Sequence, residues 1–342
     1  MILDMSFEEI VSYVEKLGYP KFRAKQLYEA MTLGKSLDEI SNLPKDFKEK
    51  IKDDYPRYEV VAHLKSKDET QKAALKFPDG SIVETVLLKY KYGYTVCVST
   101  QVGCRMGCKF CVSTLTGLIR NLTAGEILSQ VLFYNKILGA TLKERKITNI
   151  VLMGCGEPLD NYENVSKFLK LVSNENGLNI SPRNISLSTC GIVPKIYQLA
   201  DDGFLVTLTI SLHAPTDELR KKTMPIANAY KIEEILKACD YYFEKTGRRV
   251  YFEYALIDGV NDTDEQISIL ANLLKGKMCH VNLIPLNSVK ERNLIGTTRK
   301  KAYIVAGKLE RLGISATVRR TMGEDIEGAC GQLRNRVGGQ NE

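Results

Sequence analysis

Thr95-Val-Cys97-Val-Ser-Thr-Gln101-Val-Gly-Cys104-Arg-Met-Gly-Cys108-Lys-Phe-Cys111 is the stretch on which the fold turns. It begins as an apolar run with strand character and ends in three cysteines within eight residues. The cysteines therefore sit on a loop at the C-terminal end of a strand. In parallel α/β folds, that end of the sheet is where active sites are built.

Outward from this run, near 95–99, strand-like segments recur near 147–153, 184–189, 204–212, 249–257, 279–285 and 314–319. Helical spacing fills most of the gaps, over 126–138, 165–172, 232–244, 264–274 and 301–312. Such alternation predicts an α/β fold, a parallel sheet covered by helices. Six or seven repeats suit a partial barrel.

The residues upstream differ. Ser6-Phe7-Glu8-Glu9 reads as a capping box, followed by Ile10, Val14 and Leu17 at helical spacing and a stop at Gly18. Further helices are predicted over 21–31 and after Pro44, and Pro56 closes the unit. Two strand-like runs, 58–62 and 81–87, follow, with Pro78-Asp79-Gly80 as a turn signal between them. The expected organisation is a helical accessory unit over 1–56, a β connector over 57–94 and the barrel over 95–342. Tyr90-Lys91-Tyr92-Gly93-Tyr94 interleaves aromatics with a base, as some nucleic-acid surfaces do and as an exposed β-edge also does.

Composition narrows the class. Over 342 residues, 44% are hydrophobic and 26% charged, which excludes wholesale disorder and fibrous repeats. No apolar run approaches the roughly 20 residues that cross a bilayer. The N-terminal Met-Ile-Leu-Asp-Met-Ser-Phe-Glu-Glu lacks the basic start of a secretory leader, so a cytoplasmic protein without membrane contact is expected. Net charge is +7 and uneven: residues 1–57 hold 10 basic and 11 acidic groups, residues 281–342 hold 11 and 6. A polyanion would be attracted mainly by the C-terminal third.

Nine cysteines without a leader argue against a disulfide framework. Thiolates select zinc or iron–sulfur clusters. A closed zinc site needs four ligands, and no fourth Cys or His lies near Cys104, Cys108 and Cys111, so zinc would need a distant fourth ligand; three buried structural cysteines are the blander alternative. A [4Fe-4S] cluster normally takes four cysteines, so three would leave one iron open to a non-protein ligand.

The CxxxCxxC motif with Phe110 before its last cysteine, and Gly154-Cys-Gly156-Glu157-Pro158 after the next strand, resemble the radical S-adenosylmethionine (SAM) superfamily. Residues 95–104, Ser186-Leu-Ser188-Thr189, Ser211-Leu212-His213-Ala214, Asn282-Leu-Ile-Pro-Leu-Asn287 and Ala329-Cys330-Gly331-Gln332-Leu333 are more specifically similar to the dual-specificity RNA adenine-C2 methyltransferases, along nearly the whole chain. That resemblance implies a radical SAM partial (βα)6-type, TIM-like barrel. It also implies one [4Fe-4S] cluster on Cys104, Cys108 and Cys111. Two molecules of S-adenosyl-L-methionine are used per turnover, held by Gly156, Glu157, Ser188, Ser211, Leu212, His213 and Asn287.

By the same resemblance, Cys330 is a methyl carrier, first S-methylated by one SAM. The 5′-deoxyadenosyl radical cut from a second SAM takes hydrogen from the Cys330 methyl group. The methylene radical adds to C2 of adenine, Glu84 accepts the C2 proton, and Cys97 attacks the Cys330 sulfur to release product as a disulfide forms. C2 of adenine is electron-poor, so a carbon radical can add where polar methyl transfer fails. The implied partners are 23S rRNA, tRNA and a flavodoxin-type electron donor, with the enzyme a monomer.

The residues themselves fit blander roles too: Cys97 a core cysteine, Glu84 a surface strand residue, His213 a capping group. Cys155 and Cys190 depart from the residues common at their places in the family. Two rival functions are an adenine-C8 methyltransferase of the Cfr type, which confers antibiotic resistance, and a non-catalytic metal-stabilised RNA-binding protein. Val112-Ser113-Thr114 after the third cysteine resembles the C2 family rather than the C8 one.

Overall fold

The computed structural model describes residues 1–287, 294–330, 332 and 333. The chain opens with helices α1 (Phe7–Lys16), α2 (Phe22–Thr32) and α3 (Lys45–Ile51). The capping box at α1 is formed: Glu9 N donates to Ser6 Oγ (3.2 Å), and Ser6 N donates to a Glu9 carboxylate oxygen (2.7 Å). Four strands follow, β1 (Glu59–Lys65), β2 (Gln71–Lys76), β3 (Ile82–Tyr90) and β4 (Gly93–Cys97), each antiparallel to the one before. A small hairpin, β5 (Gln101–Gly103) and β6 (Leu118–Asn121), brackets the cysteine loop.

The alternating region then runs α4 (Ala124–Ile137), β7 (Ile147–Leu152), α5 (Tyr162–Ser173), β8 (Ile185–Thr189), α6 (Val193–Asp201) and β9 (Thr207–Ser211). It continues through α7 (Asp217–Thr223), α8 (Ile232–Thr246), β10 (Val250–Leu256), α9 (Asp264–Leu274), β11 (Cys279–Pro285), α10 (Arg299–Arg311) and β12 (Ala316–Val318). The sheet order is β1-β2-β3-β4-β7-β8-β9-β10-β11-β12, with parallel pairing from β4 to β12. Six helical crossovers thus join seven parallel strands, and the sheet stays open between its two edges, as the partial barrel requires. All seven expected strands are present.

The strands of 57–94 are not a detached connector. Val86 pairs with Cys97 across β3–β4, so they extend the barrel sheet, and residue 94 lies inside β4. β2 was not anticipated, because Gln71-Lys-Ala-Ala-Leu-Lys76 carries no β-branched or aromatic side chain. The N-terminal helices share one core with the barrel, in which Ile10, Leu27 and Phe47 belong with Ile127 and Val131. Their contact explains why α4 is buried on nearly every side. Gly125 N donates to Asp4 Oδ1 (2.7 Å), and a Cβ on Gly125 would meet the Leu3 backbone at 3.0 Å. Among the described residues, no helix is long and apolar enough to cross a membrane.

Candidate active site

The cysteine loop leaves β5 and is held by backbone bonds: Cys104 N donates to Gly117 O (2.9 Å), and Lys109 N to Thr223 O (2.9 Å). Thr114 Oγ1 donates to the carbonyls of Cys108 and Cys111. The loop after β7 packs onto the segment that runs from β4 into the cysteine loop. A Cβ on Gly154 would lie 2.7 Å from Val98 O, and one on Gly156 would lie 2.7 Å from Gln101 N. Gly156 also has φ +108, so glycine is required there for both reasons. Cys155 N donates to Ser99 Oγ (2.9 Å), and Glu157 N to Gln101 Oε1 (2.8 Å).

Between these loops and the C-terminal ends of the strands lies a cleft of about 950 Å³. Cys104, Cys108, Cys111, Gly156, Glu157, Ser188, Ser211, His213, Asn287 and Cys330 all line it. Leu212 does not: its side chain is fully buried in the apolar core. That placement follows from strand alternation, which points Ser211 and Leu212 to opposite sides.

Several groups are fixed in orientation and protonation. Glu157 accepts one N–H at each oxygen, from Leu159 (3.0 Å) and Cys190 (2.8 Å), while burial raises its pKa against those bonds. The Thr189 and Cys190 side chains also bond to it, so the carboxylate is held from several sides. His213 has φ +56, and its Nδ1 accepts from Ala255 N (2.9 Å). Burial and the charge of Arg220 push its pKa down to about 3, so the ring is neutral with its proton on Nε2. Ser188 and Ser211 face each other at 3.5 Å.

Arg220 was not found from sequence. It is fully buried and donates to the carbonyls of Cys190 (2.6 Å), Ser211 (3.2 Å) and Leu212 (3.2 Å). One charged group thereby ties together the loops after β8 and β9. A single buried arginine leaves no periodic signal in a sequence.

A second cavity of about 580 Å³ adjoins the first. It is lined by Cys97, Cys330, Tyr90, Arg319 and Arg320, and Asn287, Met153 and Cys330 line both cavities. Burial, reinforced by Cys330, pushes the Cys97 thiol up to about 12, with Arg319 pulling it down. Both cysteines are free thiols. Arg319 stands 3.5 Å from Glu253, and the neighbouring Cys330 sulfur helps hold its guanidinium charged.

The tail carrying Cys330 is anchored by hydrogen bonds to three other parts of the chain. Asn287 Nδ2 donates to Cys330 O (3.1 Å), Ser113 Oγ to Leu333 O (2.8 Å) and Gly323 N to Asp68 Oδ2 (3.0 Å). Gly331 and residues 334–342 of the expected tail lie outside the described residues. Glu84 stands on β3, on the same face as Val86, Leu88 and Tyr90, but does not line either cavity. It is buried against Lys72 Nζ (3.2 Å), which also donates to Glu327 O (3.3 Å) in the tail.

The donor set fits an iron–sulfur cluster better than a single ion. Among the described residues, no group of three or more His, Cys, Asp or Glu converges tightly enough to hold one metal ion. A cluster is wider than an ion, and each iron takes its own thiolate. Three cysteines along one wall of the cleft suit that larger group. The same cleft offers a nucleoside cofactor serines, a fixed histidine donor and a carboxylate.

Comparison with known proteins bears on this geometry. Residues 98–271 match the Radical SAM superfamily. A probable dual-specificity RNA methyltransferase RlmN of Clostridium perfringens is 53% identical over 97% of this chain and 96% of its own length. One from Lachnospira eligens is 51% identical over 98% and 96%. The crystal structure of a radical SAM methyltransferase from Sphaerobacter thermophilus superposes with a TM-score of 0.93 at 41% identity, covering 97% of this chain and 98% of that one. Agreement at this level along the full length settles the family: the chain belongs to the RlmN family of the radical SAM superfamily.

Proposed function

We propose that the protein methylates C2 of adenine in 23S rRNA and tRNA, with Cys330 carrying the methyl group between its two cavities. The observation that carries this reading is the position of Cys330, on the wall shared by the cysteine-loop cleft and the Cys97 cavity. A carrier must be charged at one site and discharged at another, and this is the one free thiol among the described residues that lines both.

Cys104, Cys108 and Cys111 would hold a [4Fe-4S] cluster. Gly156, Glu157, Ser188, Ser211, His213 and Asn287 would hold S-adenosyl-L-methionine, with the Leu212 backbone beside them. Bound there, the two groups supply a methyl group and one-electron chemistry, with two S-adenosylmethionines used per turnover. Asn287 orients Cys330 through its carbonyl. On release, the Cys97 sulfur bonds to the Cys330 sulfur as the Cys330 sulfur–methylene bond breaks. That electron pair passes to the methylene carbon, which a proton then completes as a methyl group. Arg319, between the two sulfurs and Glu253, favours the Cys97 thiolate that this step needs. Glu84, paired with Lys72 beneath the tail, is the proton acceptor. It must be reached by a shift of the Glu327–Cys330 segment that its lysine tethers. The helical unit over 1–56 contacts the RNA, the electron donor is of flavodoxin type, and the enzyme acts as a monomer.

The test is anaerobic. Protein reconstituted with iron and sulfide, given S-adenosylmethionine, a reductant and rRNA or tRNA transcripts, yields 2-methyladenosine by mass spectrometry of the nucleosides. The Cys330→Ala variant binds the same iron and yields none. Only 8-methyladenosine would transfer the protein to the C8 reaction, and RNA binding without any methylation would leave a non-catalytic RNA-binding protein.

A further inference from the structure

The end of β3 places Tyr90 at the cavity that holds Cys97 and Cys330, and the two-residue turn to β4 carries Tyr92 beside it. Tyr90 lines that cavity and packs on the cluster of Val86, Leu88, Cys97, Met322 and Leu333. Tyr92 stacks on Tyr90 with ring centroids 5.0 Å apart and planes 6° from parallel. Tyr92 is also 63% exposed, so its outer face is open to solvent. Exposed Lys91 lies between them in sequence, and exposed Arg320 lines the same cavity. A folded monomer gains little by holding a large aromatic flat and uncovered at a cavity edge. A polynucleotide gains much, because every base has a π-face and stacks on such a ring regardless of sequence.

We infer that Tyr90 and Tyr92 form a stacking platform for a nucleobase flanking the target adenine, at the mouth of the carrier-cysteine cavity. An adenine that enters the cavity leaves its neighbour in the RNA without a stacking partner. The outer face of Tyr92 replaces that partner, while Lys91 and Arg320 are placed to meet phosphates. Tyr90 braces Tyr92 from inside. The ligand class is a single-stranded or loop segment of RNA with one base turned out. This rests on the RNA methyltransferase reading above and adds a binding site to it.

The experiment uses the reconstituted full-length protein and a tRNA transcript on which the methylated adenine has been mapped. Dissociation constants are measured for the wild type, Tyr92→Ala and Tyr92→Phe, on intact RNA and on RNAs made abasic at either neighbour of the target. Tyr92→Ala weakens binding to intact RNA about tenfold, Tyr92→Phe does not, and the slope of affinity against salt is unchanged because no phosphate contact is lost. On one of the two abasic RNAs, Tyr92→Ala costs nothing further. Thermal denaturation of the three proteins shows whether each is folded. Wild-type affinity in a folded Tyr92→Ala, or an equal loss on intact and both abasic RNAs, would overturn the platform. If the wild type makes no methyladenosine at all, it is the underlying function that fails instead.

Discussion

The two cavities that share Cys330 are built in different ways. The cysteine-loop cleft is made of backbone: Gly154 and Gly156 lie against the chain after β4, and Ser99, Gln101 and Arg220 lock neighbouring loops through main-chain bonds. The Cys97 cavity is closed by a tail held through a few side chains, Asn287, Ser113, Lys72 and Asp68. The first has little freedom to move, while the second can exchange a handful of hydrogen bonds for another arrangement. That division suits a reaction in which the cofactors stay put and the carrier cysteine must reach different partners.

Perturbing each side tests the contrast. The largest effect is expected at Lys72, whose removal strips the cation from beside the buried Glu84 carboxylate. Lys72→Met should cost about 3–5 kcal/mol in denaturant unfolding, with part restored in the Lys72→Met, Glu84→Gln double variant. An equal loss in both would show that the charge pair is not the cause. On the cofactor side, Gly156→Ala forces a side chain onto φ +108 and into the Gln101 backbone. It should cost about 1–3 kcal/mol and weaken S-adenosylmethionine binding by calorimetry, leaving RNA affinity as in the wild type.

The pH dependence sharpens the other side. The Cys97 thiol, raised to about 12, is protonated at neutral pH, so its thiolate fraction grows about tenfold per pH unit below that value. Breakdown of the RNA–protein adduct should therefore quicken about tenfold from pH 7 to pH 8 in single-turnover reactions. A flat profile would mean that thiolate formation does not limit release. The smallest effect is expected for Asn287→Ala, which removes one hydrogen bond from the Cys330 segment, about 0.5–1.5 kcal/mol. Faster proteolysis after the tail's Arg319 or Arg320, with the melting temperature almost unchanged, would register it.

Much of this was legible in the chain. The strand and helix alternation set the barrel, and the 264–274 and 279–285 segments coincide with α9 and β11, where the apolar period is clean and the ends are marked. α6 and α7 are short, nine and seven residues, and offer few turns from which to read a period. The cysteine loop and the glycine turn after β7 were visible because each needs particular residue types at fixed spacing. What stayed hidden is what depends on distant neighbours. Lys72 meets Glu84 only because β2 lies against β3, and Arg220 reaches three carbonyls from two loops. Leu212 was grouped with the cofactor contacts by its neighbours in the motif, yet its side chain turns into the core. The tail showed glycines but not the acceptors and donors that hold it.

The shared position of Cys330 is tested most directly by trapping what it carries. Cys97→Ala protein, reconstituted anaerobically and given S-adenosylmethionine, reductant and RNA, should accumulate a covalent RNA–protein adduct. Nuclease and protease digestion followed by mass spectrometry should place an adenine-derived methylene on the sulfur of Cys330. An adduct on another residue, or free protein with normal turnover, would contradict the account.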